Sequence, residues 1–141
     1  MEHVINLKGY IKVDITKNSK IISSWESPNL IVDQGLTIFP LMIANKTTPS
    51  LDVKIGTSST AAANNQINLI SQVGESSAGA SASGASFTVT SLIISTWAGT
   101  IHEFGLYINS LMFSRVVNPT GLVKATDQNV FVTWTITNSR G

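Results

Sequence analysis

Residues 129–137 read NVFVTWTIT, and this alternation restricts the fold more than any other feature of the chain. Side chains on a β-strand point to opposite faces in turn. Val130, Val132, Trp134 and Ile136 therefore share one face, and Thr133, Thr135 and Thr137 share the other. The same period returns near the N-terminus, where Ile11, Val13 and Ile15 oppose Tyr10, Lys12, Asp14 and Thr16. It returns again where Leu51, Val53 and Ile55 alternate with Asp52 and Lys54.

Turn chemistry separates these runs. Lys17-Asn18-Ser19-Lys20 reads as a hairpin turn, because Asn tolerates the positive φ such turns require. The strand after it places Ile21, Ser23 and Trp25 together, and Ser27-Pro28 is expected to end it. Residues 101–108 and 111–117 flank a second tight turn at Asn109-Ser110. Phe87 and Val89 face one way while Leu92 and Ile94 face the other, so a parity switch is expected near Thr90-Ser91, as a bulge or a bend between sheets. Residues 67–73 read as a short strand or a turn of helix. Roughly seven or eight short strands, with turns about every ten residues, predict an all-β single domain over 1–141, a β-sandwich of jelly-roll type.

Three segments depart from the strand pattern. Residues 33–44 are the helix candidate, with Asp33 as N-cap and Leu36, Phe39 and Ile43 on one face. Pro40 would shorten or kink that helix. Residues 74–86, GESSAGASASGAS, bury little apolar area and are expected to form a flexible loop crossing a subunit contact, or a hairpin arm. Residues 1–8 are expected to form an N-terminal arm.

Charge is scarce. Asp, Glu, Lys and Arg make up 12% of the chain, against about 25% in ordinary domains. Ser, Thr, Asn and Gly take their place. Such a surface suits a protein packed against copies or partners. The net charge of +1 gives no pull toward nucleic acid or an anionic membrane. Lys8, Lys12, Lys17 and Lys20 are interrupted by Asp14 and Glu26 and fit solvated strand edges. There is no Cys, which removes disulfide and thiolate chemistry. MEHVINLKG lacks the features of a signal peptide, so synthesis in a cytoplasm is expected. The apolar stretch IFPLMIA falls short of the ~20 residues of a membrane helix.

Candidate chemistry is thin. His102 and Glu103 are neighbours, but on a strand they point to opposite faces and form no dyad. With a two-residue turn at Asn109-Ser110, Glu103 and Arg115 lie on adjacent strands, and simple register puts them on opposite faces. The expectation is a solvated or interface salt bridge for Glu103 and a partly exposed His102. The other histidine, His3, belongs to the expected arm, so no metal site is predicted. Gly56-Thr57-Ser58-Ser59-Thr60 lacks the ending of a phosphate loop, and no nucleophile elbow is present. Trp25 and Trp97 would make a sugar-stacking platform if exposed, whereas Trp134 is in phase with the core. No enzyme and no cofactor are expected.

Several short motifs, taken in order, resemble a family of small tailed-bacteriophage virion proteins. A strand pair is followed by NLIVDQGL at 29–36, similar to the family's "NLVV..GL". VKIGTSSTA at 53–61 is similar to "IALGTGTTAP", and HEFGLY at 102–107 to "REAGLF". LMFSR at 111–115 and VTWTIT at 132–137 complete the set, which covers most of residues 9–138. Pro40 and the run Asn64-Asn65-Gln66-Ile67 depart from the family pattern. The resemblance implies a structural role in a virion, for a protein made in the host bacterial cytoplasm. Small size, one β-domain and no fibre-like repeats favour a capsid cement protein, a homotrimer bridging major capsid subunits. The alternatives are a tail, baseplate or fibre-attachment component, and a carbohydrate-binding adhesion module. Glu75, Ser76, Ser77, Glu103 and Arg115 are the expected interface residues.

Overall fold

A computed structural model describes residues 5–31, 50–83 and 86–140. The helix expected over 33–44, with Asp33 and Pro40, lies outside them. Nine strands are present among the described residues: β1 (Ile5–Lys17), β2 (Lys20–Ile31), β3 (Leu51–Gly56), β4 (Gln72–Ser77), β5 (Gly79–Ser83), β6 (Ser86–Ile93), β7 (Gly99–Ile108), β8 (Leu111–Lys124) and β9 (Asn129–Arg140). All their pairings are antiparallel.

The strands form two sheets packed face to face, as the alternation predicts. One sheet runs β2-β1-β9-β6-β5, and the other runs from the end of β2 through β8, β7 and β3 to β4. β2 belongs to both: it pairs with β1 along most of its length and with β8 only at Leu30 and Ile31. On the opposite side, β4 runs into β5 through Ala78, whose N–H donates to Leu51 O at 2.8 Å. One continuous segment thus passes from the edge of one sheet to the edge of the other.

The inward faces carry the predicted core. Ile11, Val13 and Ile15 of β1 meet Val130, Val132, Trp134 and Ile136 of β9, and Val53, Ile55, Phe104 and Leu106 close the core from the other sheet. Trp134 is wholly buried, as its phase predicts. Both hairpin turns also form as expected. Asn18 and Ser19 have φ of 51° and 65°, and Asn109 and Ser110 have φ of 51° and 67°, the mirror-image turn that matches strand twist.

Five expectations need correction. Ile21 does not share a face with Ser23 and Trp25: Ile22 is an extra residue on β2, so Ser23 pairs with Ile15 while Ile21 pairs with Thr16 and is exposed. Pro28 does not end β2, because its strand has a partner on one side only there, the setting in which a sheet tolerates a Pro. No parity switch interrupts β6: Val89, Ser91 and Ile93 all turn inward, and Leu92 and Ile94 are exposed on the outer side. Ser91 is small enough to sit inside, and its hydroxyl donates to Ser77 O at 3.0 Å. Residues 74–77 and 79–83 are strand rather than flexible loop, joined at Ala78, because the ladder needs backbone groups and not bulky side chains. The expected arm is strand from Ile5 onward, paired with the end of β9. Within 67–73, the strand starts at Gln72, and 67–71 is irregular.

Candidate functional site

Among the described residues, a cluster of buried polar groups lies on the outer face of β7 and β8. Two facts of the β7–β8 hairpin create it. The first is a bulge. Tyr107 pairs with Met112 but Leu106 pairs with Ser114, so Phe113 is an extra residue on β8. This shifts Arg115 from the position opposite Phe104 to the position opposite Gly105. Glu103, Gly105 and Tyr107 share a face, and Arg115 now points to that face as well. The simple register of the sequence had separated Glu103 from Arg115.

The second fact is a cover. Residues 57–71, irregular throughout, cross this face as a strap. Glu103 and Arg115 are both fully buried beneath it. Arg115 Nε donates to Glu103 Oε1 at 3.1 Å, and Nη2 lies 3.1 Å from the same oxygen. The carboxylate also accepts from the backbone N–H groups of Ser58 at 3.1 Å, Ile70 at 2.8 Å and Ser71 at 2.7 Å. Arg115 Nη1 donates to Thr60 O at 2.8 Å and Gln66 Oε1 at 3.2 Å. Gln66 in turn accepts from Ala63 N and donates to Ala61 O. A charge removed from water is tolerated only when paired and hydrogen-bonded, and here the strap supplies most of the partners.

The rest of the face is built to match. Gly56 sits where any Cβ would lie 2.4 Å from Glu103 Oε2 and 2.5 Å from Ser71 O, so only glycine leaves room for the carboxylate. Tyr107 OH accepts from Leu69 N–H at 2.9 Å, and Leu69, Tyr107 and Met112 form a small second core under the strap. Burial raises the Tyr107 pKa above its ordinary 10.0, with the Leu69 N–H pulling the other way. Lys54 Nζ lies 4.2 Å from the centre of the Tyr107 ring and 3.5 Å from Glu75 Oε2.

The expected interface residues therefore divide. Glu103 and Arg115 are not a solvated or interface pair: the strap of their own chain covers them. Glu75 and Ser77 are exposed on β4, with Ser76 half-buried between them. His102 is half-exposed at a break in register, where Ile101 pairs with Leu122 but Glu103 with Val117, and its Nδ1–H donates to Asn118 O at 2.9 Å. Trp25 stacks on Phe104 with centroids 5.7 Å apart, and Trp25 and Trp97 both pack against the core.

Sequence reasoning missed Gly56, Gln66, Leu69 and Tyr107. A signal was present in the spacing Glu103–Gly105–Tyr107, a polar stripe inside an apolar run, which marks a face covered by something other than the main core. It also missed Lys124. That side chain is buried, and its ammonium donates to Ser95 O, Trp97 O and Ala125 O at 2.6, 2.8 and 2.9 Å. Burial lowers its pKa, and Asp127 opposes this.

An open pocket of about 340 Å³ lies beside the strap, between Ser27 and Pro28 of β2, Ala61 and Ala62, and Val117 and Pro119 of β8. Among the described residues that line it Arg115 is the one that ionises, and its donors are directed to Glu103 and the strap. Among the described residues no group of three His, Cys, Asp or Glu side chains converges, and no helix is long and apolar enough to cross a membrane. Comparison with protein-family models, with curated proteins and with solved structures finds no match.

Proposed function

We propose that this chain is a non-enzymatic structural protein of a tailed-bacteriophage virion, a capsid cement protein that bridges neighbouring major capsid subunits. One observation carries the non-enzymatic part of the reading. The most chemically loaded cluster, Glu103 with Arg115, is closed and directed at backbone groups of its own strap. A catalytic carboxylate needs a face open to substrate. A building block needs irregular segments held in one shape, and a buried ion pair does that.

The virion setting is supported by the order of motifs along 29–137 and by the low surface charge. A surface rich in hydroxyls is covered by a neighbour without leaving charges unpaired. Leu92 on β6 and Ile21 on β2 are exposed apolar residues on the outer side of the β2-β1-β9-β6-β5 sheet, and Ile94, just past the end of β6, is exposed beside them, available for such cover. Glu75, Ser76 and Ser77 on β4 stay in the proposed contact surface; Glu103 and Arg115 leave it.

The test is the composition of purified particles that encode the chain. A copy number comparable to that of the major capsid protein, with density over capsid subunits in an electron-microscopy reconstruction, is expected. A few copies at the tail would replace cement by a tail or baseplate role. Absence from the particle would overturn the reading.

A further inference from the structure

Open strand edges are hazards, and this chain guards most of them. The open stretch of β2 carries Lys20, an extra residue at Ile22 and Pro28. β4 carries an extra residue at Val73 and the charge of Glu75, and its Ser77 carbonyl is occupied by the Ser91 hydroxyl. The stretch of β8 beyond its pairing with β2 carries Pro119 and a break in register, where Glu103 pairs with Val117 but Ile101 with Leu122. Charge, proline and bulges are the devices that stop one sheet adding to another.

β5 has none of them. Its sequence is Gly-Ala-Ser-Ala-Ser, it pairs with β6 in unbroken register from Gly79↔Thr90 to Ser83↔Ser86, and it ends the strand order. Among the described residues nothing pairs with its other side. Residues 79–82 are exposed, and a Cβ added at Gly79 would meet nothing within 4 Å.

We propose that β5 is a self-association edge: two copies pair β5 with β5 antiparallel, about a two-fold axis at Ser81. This joins the two β2-β1-β9-β6-β5 sheets into one. The sequence favours a second copy over a foreign strand. Recognition of a foreign strand takes affinity from main-chain hydrogen bonds and specificity from side-chain pockets. Side chains of Gly, Ala and Ser build no pockets. About Ser81, however, Ala80 falls opposite Ala82, Gly79 opposite Ser83, and Ser81 opposite itself, with no bulk or like charge in the way. A two-fold contact needs this self-complementarity. The resulting dimer differs from the trimer implied by the family resemblance.

The inference deepens the structural role above and rests on it for its setting. The pairing is measured on the isolated chain, so its failure and that of the virion reading are separate results. Sedimentation equilibrium of the full chain over a concentration series is expected to show a monomer–dimer equilibrium, with amides in 79–83 slowed in hydrogen exchange as the dimer fills. Ser81→Lys and Ser81→Glu each place like charges opposite one another at the axis. Each is expected to weaken the dimer about tenfold or more, and mixing the two is expected to restore it as a heterodimer. Circular dichroism on both variants checks that the exposed substitution leaves the fold intact. A chain that stays monomeric up to its solubility limit would overturn the proposal. So would a trimer, or a dimer insensitive to both charges. If either variant unfolds, the exchange of 79–83 in the unaltered chain decides alone.

Discussion

Arg115 stands opposite Gly105 on the neighbouring strand, and its guanidinium reaches diagonally to the Glu103 carboxylate on the same face. The two residues are joined by a bulge at Phe113 and covered by the strap 57–71. Their partnership ties three non-adjacent stretches of chain into one unit, and its consequences are measurable.

Removing one partner leaves an uncompensated buried charge. Arg115→Met is expected to cost about 3–5 kcal/mol in denaturant unfolding. The double variant Glu103→Met/Arg115→Met restores part of that loss, because an apolar pair replaces an ionic one. The strap does not recover, since its backbone donors have lost the carboxylate. Hydrogen exchange at Ser58, Ile70 and Ser71 is expected to be fast in the double variant and slow in the unaltered chain. Slow exchange in both would show that the ion pair does not hold the strap.

Gly56 and Gly79 offer a matched pair of alanine substitutions. A Cβ at Gly56 collides with Glu103 Oε2 and Ser71 O, displacing the carboxylate from its donors. Gly56→Ala is expected to destabilise by about 1–3 kcal/mol. Gly79→Ala meets no neighbour and is expected to change stability by less than about 1 kcal/mol, on the stabilising side. Thermal melts of the two variants side by side check the ordering.

Tyr107 links the strap to alkaline pH. Burial raises its pKa above 10.0, so the folded state holds the phenolic proton longer than the unfolded chain does. Below the unfolded value the contribution to stability is complete. As pH rises beyond 10.0 and through the folded value, the unfolded chain ionises first and that stability is lost. Tyr107→Phe removes this slope. It also leaves the Leu69 N–H without its acceptor, which lowers stability at neutral pH by about 1–3 kcal/mol. Unfolding curves between pH 9 and 12 (roughly the range of tyrosine ionisation) compare the two chains, with Tyr10 common to both.

The hairpin turns are improvable. Ser19 and Ser110 both hold positive φ, a region that costs an L-residue energy and that glycine enters freely. Ser110→Gly turns the loop into Asn-Gly, the preferred pair for this turn, and is expected to stabilise by about 0.5–1 kcal/mol. A lower melting temperature for Ser110→Gly would show that the serine side chain contributes more than its backbone strain costs.

Much of the fold was legible locally. Ile11, Val13, Ile15 and Val130, Val132, Trp134, Ile136 announced their inward faces by period alone. Asn18-Ser19 and Asn109-Ser110 announced turns because few residues accept their backbone angles. Residues 74–83 misled, since small side chains say nothing about backbone pairing. Pro28 and Ser91 misled for a related reason. A proline is excluded only from doubly paired strands, and a serine turns inward wherever it finds an acceptor.

Period two determined that this chain makes strands and which residues of each strand travel together, because side-chain alternation is a property of one strand on its own. It did not determine that the Glu103–Gly105–Tyr107 face would be covered, or that Arg115 would turn to meet it. Those were decided by ladder register and by a strap tens of residues away in sequence. A one-residue slip between strands exchanges their faces, and only the partner strand sets that slip.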